Sequence, residues 1–231
     1  MTTLGFRILP VQRRPDNTLV MKFRDIGTSL ISDNMNRIHA VGCKLRAFHG
    51  KGRMAGPAIT VKTRPGDNLM VHKAIDLAEP GDVIVVDAGG ETTHAIIGEI
   101  MVRLAARKGL GGFVIDGCIR DTEAISGGDF PVFARGATHR GPYKDGPGEI
   151  NVPISVGGMV VHPGDIIVGD SDGVAVVPVG MAEAVYELAS AQKKREEAMF
   201  AAIEDGTIDR SWIDAVLIQK GCEGVGGSDK I

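Results

Sequence analysis

The sequence predicts an α/β protein with one compact domain and a long C-terminal helix. A β-branched run at residues 83–87 and an apolar run at residues 113–115 enclose a segment with helical periodicity. Strand, helix and strand at this spacing predict a parallel crossover. A charged segment with apolar residues at helical spacing follows at residues 181–203. With 231 residues and 43% hydrophobic content, the chain is long enough to bury a core.

The first half of the chain alternates between helical and extended patterns. Apolar residues at helical spacing predict a helix over residues 24–41, with Asp33 among its polar positions. The elements predicted after it are a strand over 58–62, a helix over 69–77, a strand over 83–87 with a βα turn at 87–90, a helix over 95–108, and a strand over 113–115 that turns at Asp116-Gly117.

The second half is richer in short strands and turns. The predicted elements are a helical segment at 122–126, a strand over 131–134, a Gly/Pro-rich loop at 141–148, a hairpin around Asp172-Gly173, the long helix at 181–203, and a frayed Gly-rich tail from residue 220. Three Pro-Gly-Asp sequences, which begin at Pro65, Pro80 and Pro163, predict type II turns. Pro presets φ at the second position of such a turn, and Gly accepts the positive φ at the third.

The composition excludes several classes of function. Because 26 Lys and Arg residues face 29 Asp and Glu residues, the formal charge is only −3, and no basic surface for nucleic acid or a membrane is expected. Three cysteines, Cys43, Cys118 and Cys222, have no paired spacing, which favours a reducing compartment. With neither a signal peptide nor a long apolar span, the chain is expected to be cytoplasmic. The low net charge favours a small-molecule or protein partner.

One group of residues combines anion binding with acid chemistry. The segment from Thr93 to Ile100 begins the helix after the first crossover strand; a helix start can receive a carboxylate, Gly98 allows close approach of the ligand, and Glu99 is the next residue. Arg120 and Asp121 follow the next strand, so all four residues are expected at the carboxyl edge of one parallel sheet. Arg binds carboxylates through two N–H groups, and carboxylates bind Mg²⁺ or Mn²⁺. An adjacent Arg-Asp pair is also typical of a plain surface ion pair, so both interpretations stand at this point.

Other candidates have weaker patterns. The sequence VVDAGGETT matches neither a phosphate-binding loop nor a dinucleotide fingerprint, which favours a simple βα turn. His94, His139 and Arg140 are each compatible with a pocket or with an ordinary surface position. Cys118 has no evident partner base, so a small buried thiol is favoured over a nucleophile.

The segment GEIMVRLAARKGLGGFVIDGCIRD, from Gly98 to Asp121, resembles the signature of a known family. That family contains regulator of ribonuclease activity A (RraA) and the class II pyruvate aldolases that act on 4-hydroxy-4-methyl-2-oxoglutarate and 4-carboxy-4-hydroxy-2-oxoadipate. The resemblance extends over residues 25–209, between an N-terminal arm at 1–24 and a tail at 210–231. It implies a swivelling β/β/α fold like that of phosphohistidine domains, assembled as a homotrimer or a dimer of trimers with active sites between subunits.

The resemblance also implies roles for individual residues. Asp121 matches the direct ligand of Mg²⁺ or Mn²⁺, and Arg120 matches the residue that binds the 2-oxo acid and stabilises its enolate. Backbone N–H groups near Gly98, Ile100 and Met101 match the site of the substrate carboxylate. The remaining acids, which match catalytic or interface positions, are Glu99, where many relatives have Asp, and Asp33 and Glu196, which reach into a neighbouring subunit. A one-residue slip along the helix would exchange Glu196 for Glu197.

The implied activity is metal-dependent retro-aldol cleavage of a 4-hydroxy-2-oxo acid to pyruvate, with oxaloacetate decarboxylation through the same enolate. An RraA-like inhibitor of ribonuclease E without catalysis is the alternative. A menaquinone methyltransferase is disfavoured, because no methyl-donor loop is present. Lys144 and Arg140, in the loop after residue 138, are candidate partners of a second substrate carboxylate or plain solvated cations.

Overall fold

The computed structural model describes residues 3–42 and 44–225, so Cys43 and the last part of the predicted tail lie outside the described residues. The strands are β1 Phe6–Ile8, β2 Arg46–Ala47, β3 Met54–Thr63, β4 Val83–Ile97, β5 Gly112–Ile119, β6 Val132–Ala137, β7 Gly148–Ile150, β8 Ile154–Val156, β9 Met159–Val161, β10 Ile166–Asp170 and β11 Gly173–Val177. The helices are α1 Asn17–Phe23, α2 Thr28–Asp33, α3 Leu69–Leu77, α4 Glu99–Lys108, α5 Thr122–Ser126, α6 Ala182–Glu204 and α7 Trp212–Gln219.

Parallel strands form the centre of the main sheet. Its order is β1-β7-β3-β4-β5-β6-β2, in which the pairs β3/β4, β4/β5 and β5/β6 are parallel, whereas β7 and β2 pair antiparallel with β3 and β6. The predicted crossover between β4 and β5 through α4 is therefore confirmed. All eight residues of β5 are buried, which explains its nearly continuous apolar sequence.

The predicted hairpin near Asp172 is also confirmed. Strands β10 and β11 pair antiparallel up to Asp170 and Gly173, and β10 pairs with β3. A core beneath this hairpin includes Phe23, Ile31 and the first turns of α6. A second core lies between α3, α4 and the parallel strands. The α/β class and the long C-terminal helix are thus confirmed.

The three Pro-Gly-Asp turns have the predicted geometry. Their glycines, Gly66, Gly81 and Gly164, have φ angles of +78°, +91° and +85°. Since only glycine adopts this region without strain, each turn depends on its glycine. Helix α3 spans the residues predicted for it, Leu69–Leu77.

The predicted helix over 24–41 is wrong in extent. Helix α2 covers only Thr28–Asp33, with Gly27 at its N-cap. Asn36 and Arg37 have φ angles of +55° and +62°, which end any helical path. Apolar spacing alone does not reveal such a break, and the one local signal for it is Asn36, a residue type that readily adopts positive φ after a helix.

The predicted turns at 87–90 and 116–117 are also wrong, because both strands continue through them. Strand β4 passes through Gly89 and Gly90 by successive register shifts against β5, and α4 begins at Glu99 rather than at residue 95. Within β5, the buried Asp116 carboxylate bonds the Arg135 side chain, and its Oδ2 accepts the Gly157 N–H at 2.9 Å. These partners make an Asp-Gly pair compatible with a strand interior.

The chain divides into two compact units, Met1–Ser190 and Ala191–Ile231. The second unit contains the end of α6 and the unpredicted helix α7, whose Trp212 side chain is 63% exposed. At the other end, the predicted N-terminal arm contributes β1, which pairs with β7, and α1, whose Val20 and Phe23 are buried. No helix among the described residues is both long enough and apolar enough to cross a membrane.

Candidate active site

Strand register brings Gly98 and Arg120 together. Ile97 and Ile119 are paired at the carboxyl ends of the adjacent parallel strands β4 and β5. The next residues are therefore neighbours, and the Arg120 N–H donates to the Ile97 carbonyl at 3.0 Å. The predicted convergence of these two chain segments follows directly from the sheet.

Asp121 links the two segments. Its Oδ2 accepts the N–H of Glu99, the first residue of α4, at 3.0 Å. The backbone of Asp121 is left-handed, with φ +59° and ψ +39°. A side chain at Gly98 would contact Asp121 Oδ2 and lie 3.0–3.1 Å from Arg120 Cγ and Nε. Gly98 is therefore required for this close approach rather than for its own φ, which is extended.

Arg120 and Asp121 form a loose ion pair. Their Nε and Oδ2 atoms are 3.6 Å apart, and each side chain is 41% exposed. Such a pair contributes little to stability, typically about 0–1 kcal/mol. Both side chains are thus available to a ligand at small cost.

A cavity of about 180 Å³ opens at this edge of the sheet. Five of the predicted site residues line it, namely Gly98, Ile100, Met101, Arg120 and Asp121. The other lining residues are Asn68, His72, Ile96, Ile97, Pro142 and Lys144. Asn68 and His72 were missed from the sequence, where the only signal was the helix start that follows the Pro-Gly-Asp turn at Pro65.

The electrostatics of the cavity favour an anionic ligand. Burial, reinforced by the Lys144 charge, lowers the pKa of His72, while Asp76 opposes the shift. His72 is therefore neutral near pH 7, and Arg120 and Lys144 carry the positive charge. Asn68 is buried and donates its Nδ2 to the Ile96 carbonyl at 2.8 Å, yet its Oδ1 has no hydrogen-bond partner within the described residues. Because this oxygen is itself buried, only a donor enclosed beside it, such as an ordered water, could bond it without a local rearrangement.

The first turn of α4 offers fewer free N–H groups than the sequence predicts. The Glu99 N–H bonds Asp121, and the Met101 N–H lies 3.1 Å from the Gly98 carbonyl. Ile100, as the second helical residue, has no intrahelical acceptor for its N–H. Ile100 is therefore the best placed of these backbone groups to receive a carboxylate.

The other predicted acids have local partners in the single chain. Glu99 Oε1 lies 2.6–2.7 Å from the guanidinium of Arg103, and the side chains of both residues line a neighbouring cavity. Asp33 pairs with Arg37 at 2.8 Å and is not among the described residues that line the Arg120 cavity. Glu196 belongs to the second unit, where it accepts a hydrogen bond from Gln192 at 3.0 Å.

The donor set near Asp121 suits one kind of metal site. Among residues 3–42 and 44–225, no three His, Cys, Asp or Glu side chains are grouped closely enough to hold a metal ion. Mg²⁺ commonly binds through only one or two carboxylates and completes its octahedron with waters and substrate oxygens. Asp121 has one oxygen engaged by Glu99 and a side chain open to solvent, so it fits a hydrated cation of this kind.

The remaining candidates lie apart from this constellation. His94 is 3.5 Å from Glu91 and packs against the Tyr143 ring at a centroid distance of 5.1 Å. Cys118 is buried, as predicted, and burial raises the pKa of its thiol. A thiol of this kind is not activated for attack.

Comparison with known proteins identifies relatives of two kinds. Residues 28–176 match the RraA-like family model described as Aldolase/RraA. A protein of Halalkalibacterium halodurans, provisionally named 4-hydroxy-4-methyl-2-oxoglutarate aldolase, is 43% identical over 199 residues, covering 86% of this chain and 95% of its own. A 4-hydroxy-4-methyl-2-oxoglutarate aldolase of Thermus thermophilus is 34% identical over 151 residues, covering 65% of this chain and 92% of its own.

A solved structure with a similar fold has a different description. Streptomyces coelicolor RraAS2, titled an unusual member of the RNase ES inhibitor RraA protein family, superposes with a TM-score of 0.73 at 29% identity. The similarity covers 80% of this chain and 96% of that one. Together with the family match over most of the sheet and the cavity, these similarities show that the chain belongs to the Aldolase/RraA family.

Proposed function

We propose that this protein is a carbon–carbon lyase that cleaves a 4-hydroxy-2-oxo acid, such as 4-hydroxy-4-methyl-2-oxoglutarate or 4-carboxy-4-hydroxy-2-oxoadipate, to pyruvate. Oxaloacetate decarboxylation through the same enolate belongs to the proposal. The observation that carries it is the pairing of Ile97 with Ile119, which sets a helix start, an Arg and an Asp around one cavity. The aldolase names of relatives that match most of their own length support it.

Arg120 and the start of α4 bind and orient the substrate. The Ile100 N–H receives the carboxylate of the 2-oxo acid, and the guanidinium of Arg120 stabilises negative charge as it develops on the neighbouring oxygen. Gly98 keeps both groups within reach of one another. The buried Asn68 oxygen accepts a hydrogen bond from a bound water.

Asp121 would hold Mg²⁺ or Mn²⁺, which when bound supplies Lewis-acid stabilisation of the enolate. Asp121 has a second task in the chain itself, since it fixes the first N–H of α4. The same residue thus links the two halves of the site.

Proton transfer requires acids and bases beyond Arg120 and Asp121. Retro-aldol cleavage begins when a base removes the C4 hydroxyl proton, after which the C3–C4 bond breaks and the enolate is protonated. Glu99 can contribute only after it leaves Arg103, and a carboxylate that acts through a water tolerates the extra methylene that Glu has over Asp. Asp33 and Glu196 are proposed to enter the site of a neighbouring subunit.

A homotrimer or a dimer of trimers is therefore part of the proposal. In the single chain, Ile100 and Leu104 on α4 are 70% and 51% exposed. Ile38, five residues after Asp33 in the sequence, is 71% exposed. Exposed apolar residues beside an incomplete site are typical of an interface. The proposed catalytic domain is the region 25–209, and the cytoplasm is its proposed location.

The test is pyruvate release from 4-hydroxy-4-methyl-2-oxoglutarate and from oxaloacetate, with Mg²⁺ or Mn²⁺ and then with EDTA, corrected for the metal-only rate. We expect metal-dependent turnover that is lost in Arg120→Ala and kept in Arg107→Ala, which removes an exposed Arg near the other end of α4. An absence of turnover on both compounds by the wild-type protein would contradict the proposal.

The alternative is an inhibitor of ribonuclease E. The description of the Streptomyces coelicolor relative favours it. The acids at positions 33, 99 and 196 have no evident use in such a role. Inhibition of RNA cleavage by the wild-type protein and equally by Arg120→Ala, without pyruvate release, would favour the inhibitor.

A further inference from the structure

The three Pro-Gly-Asp turns all end in a buried aspartate, but their carboxylates do different things. Asp67, Asp82 and Asp165 are 0%, 1% and 3% exposed. Asp165 accepts the N–H groups of His162 and Val179, on either side of the β10–β11 hairpin. Asp82 accepts the Glu79 N–H within its own turn and pairs with Arg14.

Asp67 alone among the three reaches a loop that lines the Arg120 cavity. Its Oδ1 accepts the Leu69 N–H at 2.9 Å, which satisfies the start of α3. Its Oδ2 accepts the N–H groups of Asp145 and Gly146 at 2.8 and 2.9 Å and also lies 3.3 Å from Nη2 of the Arg64 guanidinium. A single buried carboxylate therefore connects the start of α3 to the loop at residues 142–147.

Backbone hydrogen bonds complete this connection. Tyr143 donates to the Gly66 carbonyl at 2.8 Å, and its own carbonyl accepts the Asn68 N–H at 3.0 Å. Lys144 thus lies between two residues, Tyr143 and Asp145, that are both bonded to the Gly66–Asn68 turn. Pro142 and Lys144 line the same cavity as Arg120 and Asp121.

Backbone hydrogen bonds at Tyr143 and Pro147 hold the two sides of the loop, and the Asp67 carboxylate accepts the N–H groups of the segment between them. The loop contains two prolines and three glycines between residues 141 and 148, and it has no regular secondary structure before β7 begins at Gly148. Replacing the carboxylate would leave two N–H groups of the loop without an acceptor, and groups buried in that way are costly. The loop would then have to move, and Lys144 would move with it.

We propose that Asp67 is a positioning residue that holds Lys144 against the cavity, where the ammonium group binds the second carboxylate of a dicarboxylic 2-oxo acid substrate. This inference rests on the proposed function and extends it to substrate choice. Arg120 and the α4 start bind the 2-oxo acid end, which every substrate shares. Lys144 binds the far end, which pyruvate lacks.

The experiment compares three variants of the full-length protein. Asp67→Asn keeps the size of the side chain but replaces one oxygen with an NH2 group and removes the charge, so the loop amides either lose their acceptor or keep a weaker, neutral one. Asp165→Asn is the matched control, since it makes the same change in an equivalent turn that bonds no residue of the cavity. Lys144→Met removes the proposed contact without disturbing any buried group.

Two reactions separate positioning from general damage. One is cleavage of 4-hydroxy-4-methyl-2-oxoglutarate, and the other is exchange of the pyruvate methyl protons with solvent deuterium, followed by NMR. We expect Asp67→Asn and Lys144→Met each to raise KM for cleavage by about tenfold, the effect of roughly one charge-assisted hydrogen bond. Pyruvate exchange should stay within about twofold of the wild-type rate, because pyruvate makes no contact with Lys144. Asp165→Asn should match the wild type in both reactions.

Hydrogen exchange of backbone amides gives a readout that does not depend on turnover. In Asp67→Asn, the amides of Asp145 and Gly146 should exchange faster, and in Asp165→Asn they should not. An unchanged exchange rate at both amides would overturn the role of Asp67.

The outcomes distinguish this inference from the proposed function. A wild-type protein that releases no pyruvate overturns the proposed function and the substrate role of Lys144 with it. An active wild type whose Asp67→Asn or Lys144→Met variant keeps its KM overturns the inference alone. Equal losses in cleavage and in pyruvate exchange also overturn it, because they indicate general damage. Lys144→Met, which alters no buried group, decides the matter if Asp67→Asn does not fold.

Discussion

Two aspartates, Asp67 and Asp121, each connect chain segments that line the same cavity, but their side chains differ in burial and in the number of backbone N–H groups that they accept. Asp67 is fully buried, and its two oxygens accept three backbone N–H groups. Asp121 is 41% exposed, and only its Oδ2 accepts a backbone N–H, that of Glu99. A carboxylate whose two oxygens both accept backbone N–H groups serves to position the chain. A carboxylate with one oxygen that accepts no backbone N–H can also bind a cation.

The largest effect on turnover is expected from Asp121→Ala, which removes the exposed carboxylate. Loss of the proposed cation ligand should remove several kcal/mol of transition-state stabilisation, so turnover should fall by about 10³-fold or more. The free energy of unfolding should fall by only about 1 kcal/mol, as for loss of a helix cap. Steady-state pyruvate release with added Mg²⁺ and urea unfolding measure the two effects. Turnover at the wild-type rate would refute the metal site.

Gly98→Ala tests whether activity depends on the close approach of the α4 start to Arg120 and Asp121. The new methyl group would meet Asp121 and Arg120, so either the α4 start or the Arg-Asp pair must shift. A displacement of roughly 1 Å in an active site can cost about 10²-fold in rate. Gly127→Ala is the control, because its added methyl group would have only ordinary contacts at 3.5 Å and beyond. Equal activity of both variants would contradict this interpretation of Gly98.

Asp67→Ala removes the buried carboxylate and tests its contribution to stability. Removing the carboxylate leaves buried N–H groups without an acceptor, and each such group costs about 1–3 kcal/mol. Because only the Gly146 hydrogen bond is fully buried and the other two are partly buried, the free energy of unfolding should fall by roughly 3 kcal/mol, the lower end of the sum over three groups and more than for Asp121→Ala. Urea denaturation of the two variants in parallel provides the measurement. The reverse order of stability would be inconsistent with the contrast between the two acids.

The smallest effect is expected from His72→Asn. The pKa of His72 is lowered in the folded chain, by burial and by Lys144, so the unfolded chain takes up the proton first as the pH falls. Its contribution to stability is therefore complete above a pH of about 6.5 and is lost progressively below it. Melting temperatures at pH 7.5 and pH 5.5 should differ less in the variant than in the wild type. The same difference in both proteins would mean that His72 contributes nothing to the pH dependence.

Much of the fold follows from local patterns in the sequence. Residues 69–77 form a helix because apolar positions recur at helical spacing after a Pro-Gly-Asp turn, and α6 lies within one residue of the predicted span at each end. The errors occur where local and tertiary preferences differ. Asp116-Gly117 has the sequence of a turn but lies within β5, because Arg135 and Gly157 satisfy the buried Asp116 carboxylate.

Chemical patterns in the sequence by themselves determined the α/β class, the parallel crossover and the candidate residues Gly98, Arg120 and Asp121. Only the tertiary structure shows which other residues line the cavity beside these three. Asn68, His72 and Lys144 come from chain segments about 25 to 50 residues away from them, and strand register together with the hydrogen bonds between the loop and the Gly66–Asn68 turn brings them to the same cavity. A sequence pattern records the local chemistry of each segment, whereas a site is assembled by non-local hydrogen bonds that no single segment encodes.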